Sequence, residues 1–469
     1  MTGNLVEPAS VDALRAEFAG RVVTPLEEDY EDNRAVFNSM ITARPQLIAQ
    51  CVSPADVQTA LAFARTNRLE VAVRSGGHSV AGASLVDGGL VIDMRRLNSV
   101  TVDPELGTAR VGGGAVWADV DRATQVHGLA TTGGRVSTTG VAGLTLGGGS
   151  GWIERKFGLA CDNLISVDMI TADGRELTAN EQENQELFWA LHGGGGNFGV
   201  ATGFTFRLHP VTDFSIALLL WPGEAGHGVA RTYRDLMEGA PEEVGGGVIY
   251  ITGPPEEFVP AHLVGQLCCA TLVTYLGNEA ELRELIAPLL AMAPDGQLIT
   301  DIGYADLQSM LDDPPGFRNY WTAEHLRELP DEAVDLFCDR AGDMVVPSPS
   351  QHVLFPLGGA ISRSQGWPGF DRSVPWAVHP LGLWSDPADD ERAKAWARNM
   401  RADVAPWATG DVYLNFIGDE GDDRVLAGYG QENYRRLSAL KAELDPDNVF
   451  NRWHNVRPAG QGNPLAGSR

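Results

Sequence analysis

Three glycine-dense stretches limit the folds open to this chain, because glycine reaches backbone conformations that are closed to residues with side chains. They read RSGGHS at 74–79, GVAGLTLGGGSG at 140–151 and HGGGGNFG at 192–199. Without a Cβ, successive backbone amides converge on one point, and such a concavity binds a pyrophosphate without basic side chains. Each stretch alone is equally consistent with a tight turn between strands. Three of them so close together favour a ligand site.

The balance of charge narrows the class of ligand. The sequence has 62 acidic and 35 basic residues, a formal charge of −27, and three lysines, Lys156, Lys394 and Lys441. Nucleic acids and anionic membranes are bound by clustered Lys and Arg, so we expect neither as a partner. A phosphate-bearing ligand is therefore expected to be held mainly by backbone N–H groups and a few arginines.

The cysteines and the N-terminus predict a cytoplasmic protein. The five cysteines, at positions 51, 161, 268, 269 and 338, are odd in number and lack the CxxC spacing of a zinc site. We expect reduced thiols and no metal site. The N-terminus has no basic segment followed by an apolar one, and no stretch reaches the ~18 apolar residues of a membrane span.

Hydrophobic periodicity predicts an α+β chain in more than one part. In the first part we expect strands at 46–52, 70–74, 90–93, 108–111, 167–171 and 202–208. Beyond Pro210, strand candidates at 215–221, 248–252, 266–275, 354–361 and 377–384 alternate with helices at 278–292 and 388–403. A last helix is expected at 424–443. The predicted domains are therefore residues 1–212, 213–423 and 424–469.

Two common nucleotide-binding patterns are excluded. The segment GGGSGW at 147–152 lacks the third glycine of a Rossmann fingerprint, and no acidic residue follows a second strand at the required distance. No Gly-Lys-Ser/Thr occurs, which removes the phosphate loop of kinases and NTPases.

Two residues in or near the glycine stretches carry reactive side chains. His78 lies inside the first stretch, where no helical or strand face exists to bury it. Cys161 is followed by Asp162 and Asn163, which favours a loop over an apolar core segment. A lone histidine is commonly structural and a lone cysteine is commonly an inert apolar residue. Position in the chain is what makes these two candidates for chemistry.

Four motifs connect these loops with the rest of the chain: RSGGHS at 74–79, GLACDN at 158–163, LFWALHGGGGNFG at 187–199, and YLNF at 413–416 with DPDN at 445–448. Together they resemble the berberine bridge enzyme-like FAD-linked oxidoreductases of the vanillyl-alcohol oxidase/p-cresol methylhydroxylase superfamily. The resemblance spans about residues 44 to 455. It implies a two-part FAD-binding domain, built from the N-terminal segment and the returning C-terminal helix. An inserted substrate domain with an antiparallel sheet and flanking helices completes the implied fold.

The resemblance also implies how FAD is held. In that family the histidine matching His78 is joined to the 8α-methyl group of the isoalloxazine, and the cysteine matching Cys161 is joined to its C6. A neutral imidazole or a thiolate is a suitable nucleophile toward the electron-poor ring. The other cofactor-binding residues implied are Arg74, Ser75, Gly76, Gly77, Ser79, Gly140, Val141, Gly143, Leu144, Gly148, Gly149, Gly151, Trp152, Gly199, Val200 and Asn415.

The catalytic base departs from the family pattern. Many oxidases of this type carry a tyrosine at the last position of the YLNF motif, whereas Phe416 cannot take a proton. We predict that Tyr413 or His379 replaces it, with Tyr304 and Tyr320 as further possibilities. The resemblance also places Leu164 beside an oxygen pocket, which predicts slow reaction with oxygen.

These expectations predict an FAD-dependent oxidoreductase that takes hydride from a hydroxyl or amine carbon of a carbohydrate or secondary metabolite. Its partners are a small-molecule substrate and either molecular oxygen or another electron acceptor. Four tryptophans of the second domain, at 376, 384, 396 and 407, are candidates for an aromatic substrate wall or for core positions. The alternative function is a flavin-bearing ligand-binding protein with weak or lost oxidase turnover.

Overall fold

The computed structural model describes residues 6–363 and 366–461. The strands are β1 (Arg21–Val23), β2 (Leu47–Gln50), β3 (Val71–Arg74), β4 (Leu90–Asp93), β5 (Val100–Asp103), β6 (Thr108–Gly112), β7 (Leu129–Ala130), β8 (Leu164–Ile170), β9 (Glu176–Asn180), β10 (Val200–Arg207), β11 (His209–Pro210), β12 (Ser215–Pro222), β13 (Val244–Thr252), β14 (Leu267–Tyr275), β15 (Gly296–Asp301), β16 (Arg318–Trp321), β17 (Glu324–Leu326), β18 (Gln351–Pro356) and β19 (Trp376–Trp384).

The helices connect and cover these strands. They are α1 (Pro8–Glu17), α2 (Tyr30–Arg34), α3 (Pro54–Asn67), α4 (Trp117–Gln125), α5 (Val141–Leu146), α6 (Glu154–Phe157), α7 (Gln185–Ala190), α8 (Gly226–Gly239), α9 (Glu279–Leu285), α10 (Ala287–Leu290), α11 (Tyr304–Met310), α12 (Asp331–Ala341), α13 (Ala360–Arg363), α14 (Asp390–Val404), α15 (Asp422–Tyr429) and α16 (Gln431–Leu444).

The first sheet leads directly into the first glycine stretch. Its strand order is β1-β2-β4-β3, with β4 parallel to both β2 and β3. The crossover between β2 and β3 is α3, which begins where the Ser53 side chain accepts a hydrogen bond from the Asp56 amide and Pro54 takes the first helical position. Because β3 ends at Arg74, residues 75–79 leave the carboxyl edge of a parallel pair.

Three further sheets follow in the described residues, the smallest being the antiparallel pair of β7 and β11. A five-stranded antiparallel sheet has the order β5-β6-β10-β8-β9. An antiparallel sheet of eight strands has the order β15-β12-β14-β13-β18-β19-β16, with β17 also paired to β19. The predicted α+β class, with a large antiparallel sheet in the second part, is confirmed.

The large sheet is buried on both faces, which explains its continuous apolar strands. Along β12, Leu218 packs in an apolar cluster that also contains residues of the first part of the chain. Leu219, on the other face, packs in a second cluster with the helices that cover the sheet. On β19, Leu381 and Val378 divide in the same way between the two clusters. Alternate side chains of each strand therefore point at the site region.

Some predicted elements differ from the structure. The strand expected at 354–361 ends at Pro356 and is followed by α13. The helix expected at 278–292 is divided into α9 and α10, and Pro288 at the second position of α10 lacks the N–H that would continue α9. Gly430, with φ +72°, separates α15 from α16 where one helix was expected. The domain limits at 212 and 423 stay predictions. Among the described residues, no helix has the length and apolar character to span a bilayer.

Candidate functional site

A cavity of about 530 Å³ separates the glycine stretches from the large sheet. This volume lies in the range of small-molecule and cofactor sites. The predicted site residues that line it are Ser75, Gly76, Gly77, His78, Ser79, Gly140, Gly143, Leu144, Trp152, Gly199, His379, Tyr413 and Asn415. The large sheet contributes Leu218, Ile249, Ile251, Ala270, Leu272, Val353, Phe355 and Leu381.

The loop after β3 offers free backbone donors to this cavity. In the described part of the chain, none of the amides of residues 76–79 donates to a protein acceptor. Gly77 has φ +79°, and a Cβ on Gly76 would lie 2.3 Å from the amide nitrogen of Gly140. The hydroxyl oxygen of Ser75 is buried there without a protein partner. Unpaired amides and an unpaired hydroxyl in one cavity-lining loop fit the pyrophosphate of FAD.

His78 is held in one orientation at this cavity. Its ring stacks on Phe37 with centres 4.3 Å apart, and its Nε2 lies 2.9 Å from the hydroxyl of Thr138. Burial lowers the pKa of His78 to about 4. The imidazole is therefore neutral near pH 7, which is the form that acts as a nucleophile.

Arg74 supports the loop at 75–79 from outside the cavity. Its guanidinium donates to the carbonyl oxygens of Asn33 and Ala35 at 2.6 and 2.5 Å, and it does not line the cavity. Arg74 was predicted to bind the cofactor, but it does not face the cavity. It instead holds the segment that carries Phe37 next to the loop.

The second glycine stretch divides into two halves with different roles. Gly140 and Gly143 line the cavity, whereas Gly148, Gly149 and Gly151 do not. A Cβ on Gly149 would lie 2.3 Å from that of Ala160, and one on Gly151 would lie 1.9 Å from the Gly133 carbonyl oxygen. These glycines allow close packing of backbones. Two other predicted cofactor residues, Val141 and Val200, are fully buried apolar core residues outside the cavity lining.

The hydroxyl oxygen of Tyr413 already accepts hydrogen bonds from the protein. Its oxygen accepts from the amides of Gly149 and Ser150 at 2.6 and 3.1 Å and from Asn415 Nδ2 at 2.8 Å. Burial raises the pKa of Tyr413 to about 12. The phenol is therefore neutral at physiological pH and is poorly suited to accept a proton, although its ring lines the cavity.

His379 is the better placed of the two predicted bases. Its Nδ1 lies 2.8 Å from the carbonyl oxygen of Thr322, so Nδ1 carries the proton and Nε2 the lone pair. Its ring stacks on Phe416 with centres 4.1 Å apart. Burial lowers the pKa of His379 to about 3, which keeps the ring neutral. Nε2 is therefore unprotonated and available to a proton at the cavity wall, although the same burial makes the imidazole a weak base.

The other aromatic candidates lie away from the cavity. The buried ring of Tyr304 packs against Phe214, and the hydroxyl of Tyr320 accepts from Arg398 Nε at 3.2 Å. The tryptophans at 376, 396 and 407 pack on the helix-covered face of the large sheet, and the one at 384 packs with Val345 and Ala393. Of the two alternatives for these four tryptophans, the structure supports core positions, and none of the four lines the cavity. Trp152 and Trp321 line the cavity instead.

Cys161 does not reach the cavity. Its side chain is 0% exposed, and Arg372 Nη2 lies 3.4 Å from its sulfur. Burial raises the pKa of Cys161 to about 12, which opposes thiolate formation. The structure therefore gives no support to a flavin bond at this residue. Leu164, expected to control oxygen access, starts β8 in the core and does not line the cavity either.

Several polar residues of the cavity were missed by sequence reasoning, among them Arg135, Asp313 and Gln351. Arg135 forms an ion pair with Glu154 at 2.8 Å, and its guanidinium lies 4.2 Å from the centre of the Phe355 ring. Asp313 accepts a hydrogen bond from Gln351 Nε2 at 2.7 Å. Asp313 stands in a loop and Gln351 on β18, and no local pattern marks either. Asp313 and Gln351 are identified as site residues only by the tertiary structure, which brings both side chains to the cavity.

Comparison with known proteins places two parts of the chain in described families. Residues 45–180 match the FAD binding domain family, and residues 412–457 match the family described as berberine and berberine like. The first match contains the loop of His78, and the second contains Tyr413, Asn415 and Phe416.

Similar proteins extend over nearly the whole chain. An FAD-dependent monooxygenase, tpcD, of Cochliobolus heterostrophus is 34% identical over 89% of this chain and 85% of its own length. The (R)-6-hydroxynicotine oxidase of Paenarthrobacter nicotinovorans is 28% identical over 98% of this chain and 100% of its own length. The crystal structure of 6-hydroxy-D-nicotine oxidase from Arthrobacter nicotinovorans superposes with a TM-score of 0.82 at 26% identity, covering 94% of this chain and 98% of that chain.

Proposed function

Because this chain belongs to the berberine bridge enzyme-like family of FAD-linked oxidoreductases, we propose that it oxidises a largely apolar hydroxyl- or amine-bearing small molecule with FAD attached at His78. The observation that carries the proposal is one cavity shared by the free amides of the loop at 75–79 and by His379 on the large sheet. The first set of groups suits a cofactor, and the second suits a substrate.

Attachment through His78 alone is supported by the two candidate side chains. His78 lines the cavity with a neutral ring oriented by Phe37 and Thr138. Cys161 is buried beside Arg372 and Asp162 and is not among the residues that line the cavity. A single bond, in place of the bicovalent linkage expected from the resemblance, is therefore the proposal.

The chemistry divides between the cofactor and the chain. When bound, the flavin would accept the hydride of the oxidised carbon, which carries both electrons, and would pass these electrons on to oxygen or another acceptor. His379 Nε2 takes the hydroxyl proton of an alcohol substrate, so that the carbon becomes a carbonyl. Phe416 and the Thr322 carbonyl hold the imidazole in the required orientation.

The apolar wall favours a ring-bearing secondary metabolite over a carbohydrate. Leu218, Ile249, Leu272 and Val353 line the sheet side, and each presents a hydrocarbon surface. A sugar needs a hydrogen-bond partner for most of its hydroxyl groups, since unpaired buried polar groups are costly. An apolar ring system needs only shape and a few polar contacts.

Two measurements on the purified protein test the proposal. Acid precipitation is expected to leave the yellow flavin in the pellet of the unmodified protein and of Cys161→Ala, and in the supernatant of His78→Ala. Anaerobic mixing with polycyclic alcohols, cyclic amines and sugars is expected to bleach the flavin with one of the first two classes. A colourless pellet from the unmodified protein contradicts attachment. No bleaching by any class favours the ligand-binding alternative.

A further inference from the structure

We infer that Asp313 is the anion that seats a positively charged nitrogen of the substrate, which makes it a specificity-determining residue of this site. The inference rests on the proposed function, since it concerns the same cavity. It narrows the substrate class to apolar molecules that carry a cationic amine.

The geometry leaves one carboxylate oxygen of Asp313 available. The residue is 8% exposed and lines the cavity. Its Oδ1 accepts from Gln351 Nε2 at 2.7 Å, and within the described residues Oδ2 receives no hydrogen bond and Asp313 forms no ion pair. A buried carboxylate with one neutral donor is under-compensated, because the loss of hydration is offset only by charge or by several hydrogen bonds.

The charged groups around Asp313 do not supply the missing cation. The neighbouring carboxylate of Asp312 adds negative potential, and both its oxygens are held by the amide and hydroxyl of Ser137 at 2.6 Å. Across the cavity, Arg135 is already paired with Glu154. His379 on β19 is neutral and donates to a carbonyl. Arg452 also lines the cavity, and its guanidinium donates to the carbonyl oxygen of Leu85. Within the described residues no cation is therefore paired with Asp313.

Burial raises the pKa of Asp313 to about 7, and the negative charge of Asp312 acts in the same direction. A ligand cation beside Oδ2 restores the ionised form and gains a charge-assisted hydrogen bond where the ligand carries an N–H. The apolar sheet wall and Trp321 leave room for the hydrocarbon part of the same molecule. The cavity therefore has room for both the cationic group and the hydrocarbon part of one ligand.

The test uses the FAD-loaded protein and a permanent cation, so that any pH dependence belongs to the protein. Binding of benzyltrimethylammonium and of its uncharged isostere neopentylbenzene is measured by equilibrium dialysis at about pH 8.5 and about pH 5.5. We expect the cation to bind about tenfold or more tightly at the higher pH, because Asp313 is ionised there. The neutral isostere is expected to bind equally at both.

Two variants test whether the charge of Asp313 causes the preference for the cation. Asp313→Asn keeps an oxygen for Gln351 and is expected to abolish both the preference for the cation and its pH dependence. Asp306→Asn removes the same charge from an exposed position of α11 outside the cavity and is expected to preserve both.

Equal binding of the cation by the unmodified protein and by Asp313→Asn overturns the inference, as does absence of a preference in the unmodified protein. Such a protein still retains acid-stable flavin and is bleached by a neutral alcohol if the proposed function holds. Failure of the proposed function appears instead as flavin lost in acid or as no bleaching at all.

Discussion

The imidazole of His379 lies flat on the phenyl ring of Phe416, with ring centres 4.1 Å apart and planes 10° apart. Phe416, the residue that departs from the family motif, therefore provides the ring on which the proposed replacement base, His379, is held. Trp321 meets the same imidazole edge-on at 5.9 Å, and the Thr322 carbonyl fixes its Nδ1. Phenylalanine at 416 can orient a proton acceptor although it cannot be one.

Replacing this imidazole is expected to remove proton transfer while leaving the cofactor in place. For His379→Gln we expect the anaerobic rate of flavin reduction by an alcohol to fall about 10²- to 10⁴-fold, the usual contribution of a general base. The rate is measured by stopped-flow absorbance. The matched control is His352→Gln, a buried histidine of β18 that stacks on Phe337 on the opposite face of the sheet. An equal loss in both variants contradicts the assignment.

The hydroxyl of Thr138 is expected to control flavin attachment. It lies 2.9 Å from His78 Nε2, so Thr138→Val releases the ring from its orientation and slows bond formation. We expect a larger share of the flavin in the supernatant after acid precipitation. Thr145→Val is the control, because its buried hydroxyl has no partner in the described structure. Fully attached flavin in Thr138→Val argues against this role.

Tyr413→Phe is expected to cost stability more than catalysis. The change leaves the buried amides of Gly149 and Ser150 without their acceptor. The free energy of unfolding should drop by about 1–3 kcal/mol, measured in urea. Tyr233→Phe should cost far less, because no described residue pairs with the hydroxyl of that buried tyrosine. Normal stability with slow flavin reduction in Tyr413→Phe would support Tyr413 as the base.

A methyl group at position 143 is expected to compete with the cofactor for space. Gly143 lines the cavity, and a Cβ there meets no protein atom within 4 Å. Gly143→Ala should therefore fold normally by circular dichroism but contain less flavin per chain. Gly239→Ala, at an equally open position outside the cavity, should keep its full flavin content. Equal flavin content in both variants would place the cofactor elsewhere.

Asp121 makes stability depend on pH. Burial raises its pKa to about 8, above the ~3.9 of an unfolded chain, so the folded state favours the protonated acid. The stability that it contributes is complete below about pH 4 and is lost as the pH rises toward 8. Asp121→Asn, beside Gln308, should raise the free energy of unfolding by about 2 kcal/mol at high pH and change it little near pH 4. A gain of equal size at both pH values contradicts the linkage.

Local features of the fold could be predicted because they depend on neighbouring residues. Ser53 and Pro54 give α3 a local start signal, and β3 ends at Arg74, as expected for the strand at 70–74, directly before the loop of His78. The continuous apolar run of β12 and the glycine stretches are likewise local features of the sequence. Boundaries such as Gly430 were missed, because a single glycine inside a helical pattern is compatible with both continuation and interruption.

The sequence by itself determined the family, the cofactor and the loop that presents His78, since a short motif carries its own backbone geometry. Only the tertiary structure decided which glycines face the cavity and which, like Gly149 and Gly151, let backbones pack. It also separated Cys161 from the cavity and brought Asp313 to Gln351. The physical reason is that access to a cavity, burial and pKa depend on elements packed from distant parts of the chain, and no local spacing encodes them.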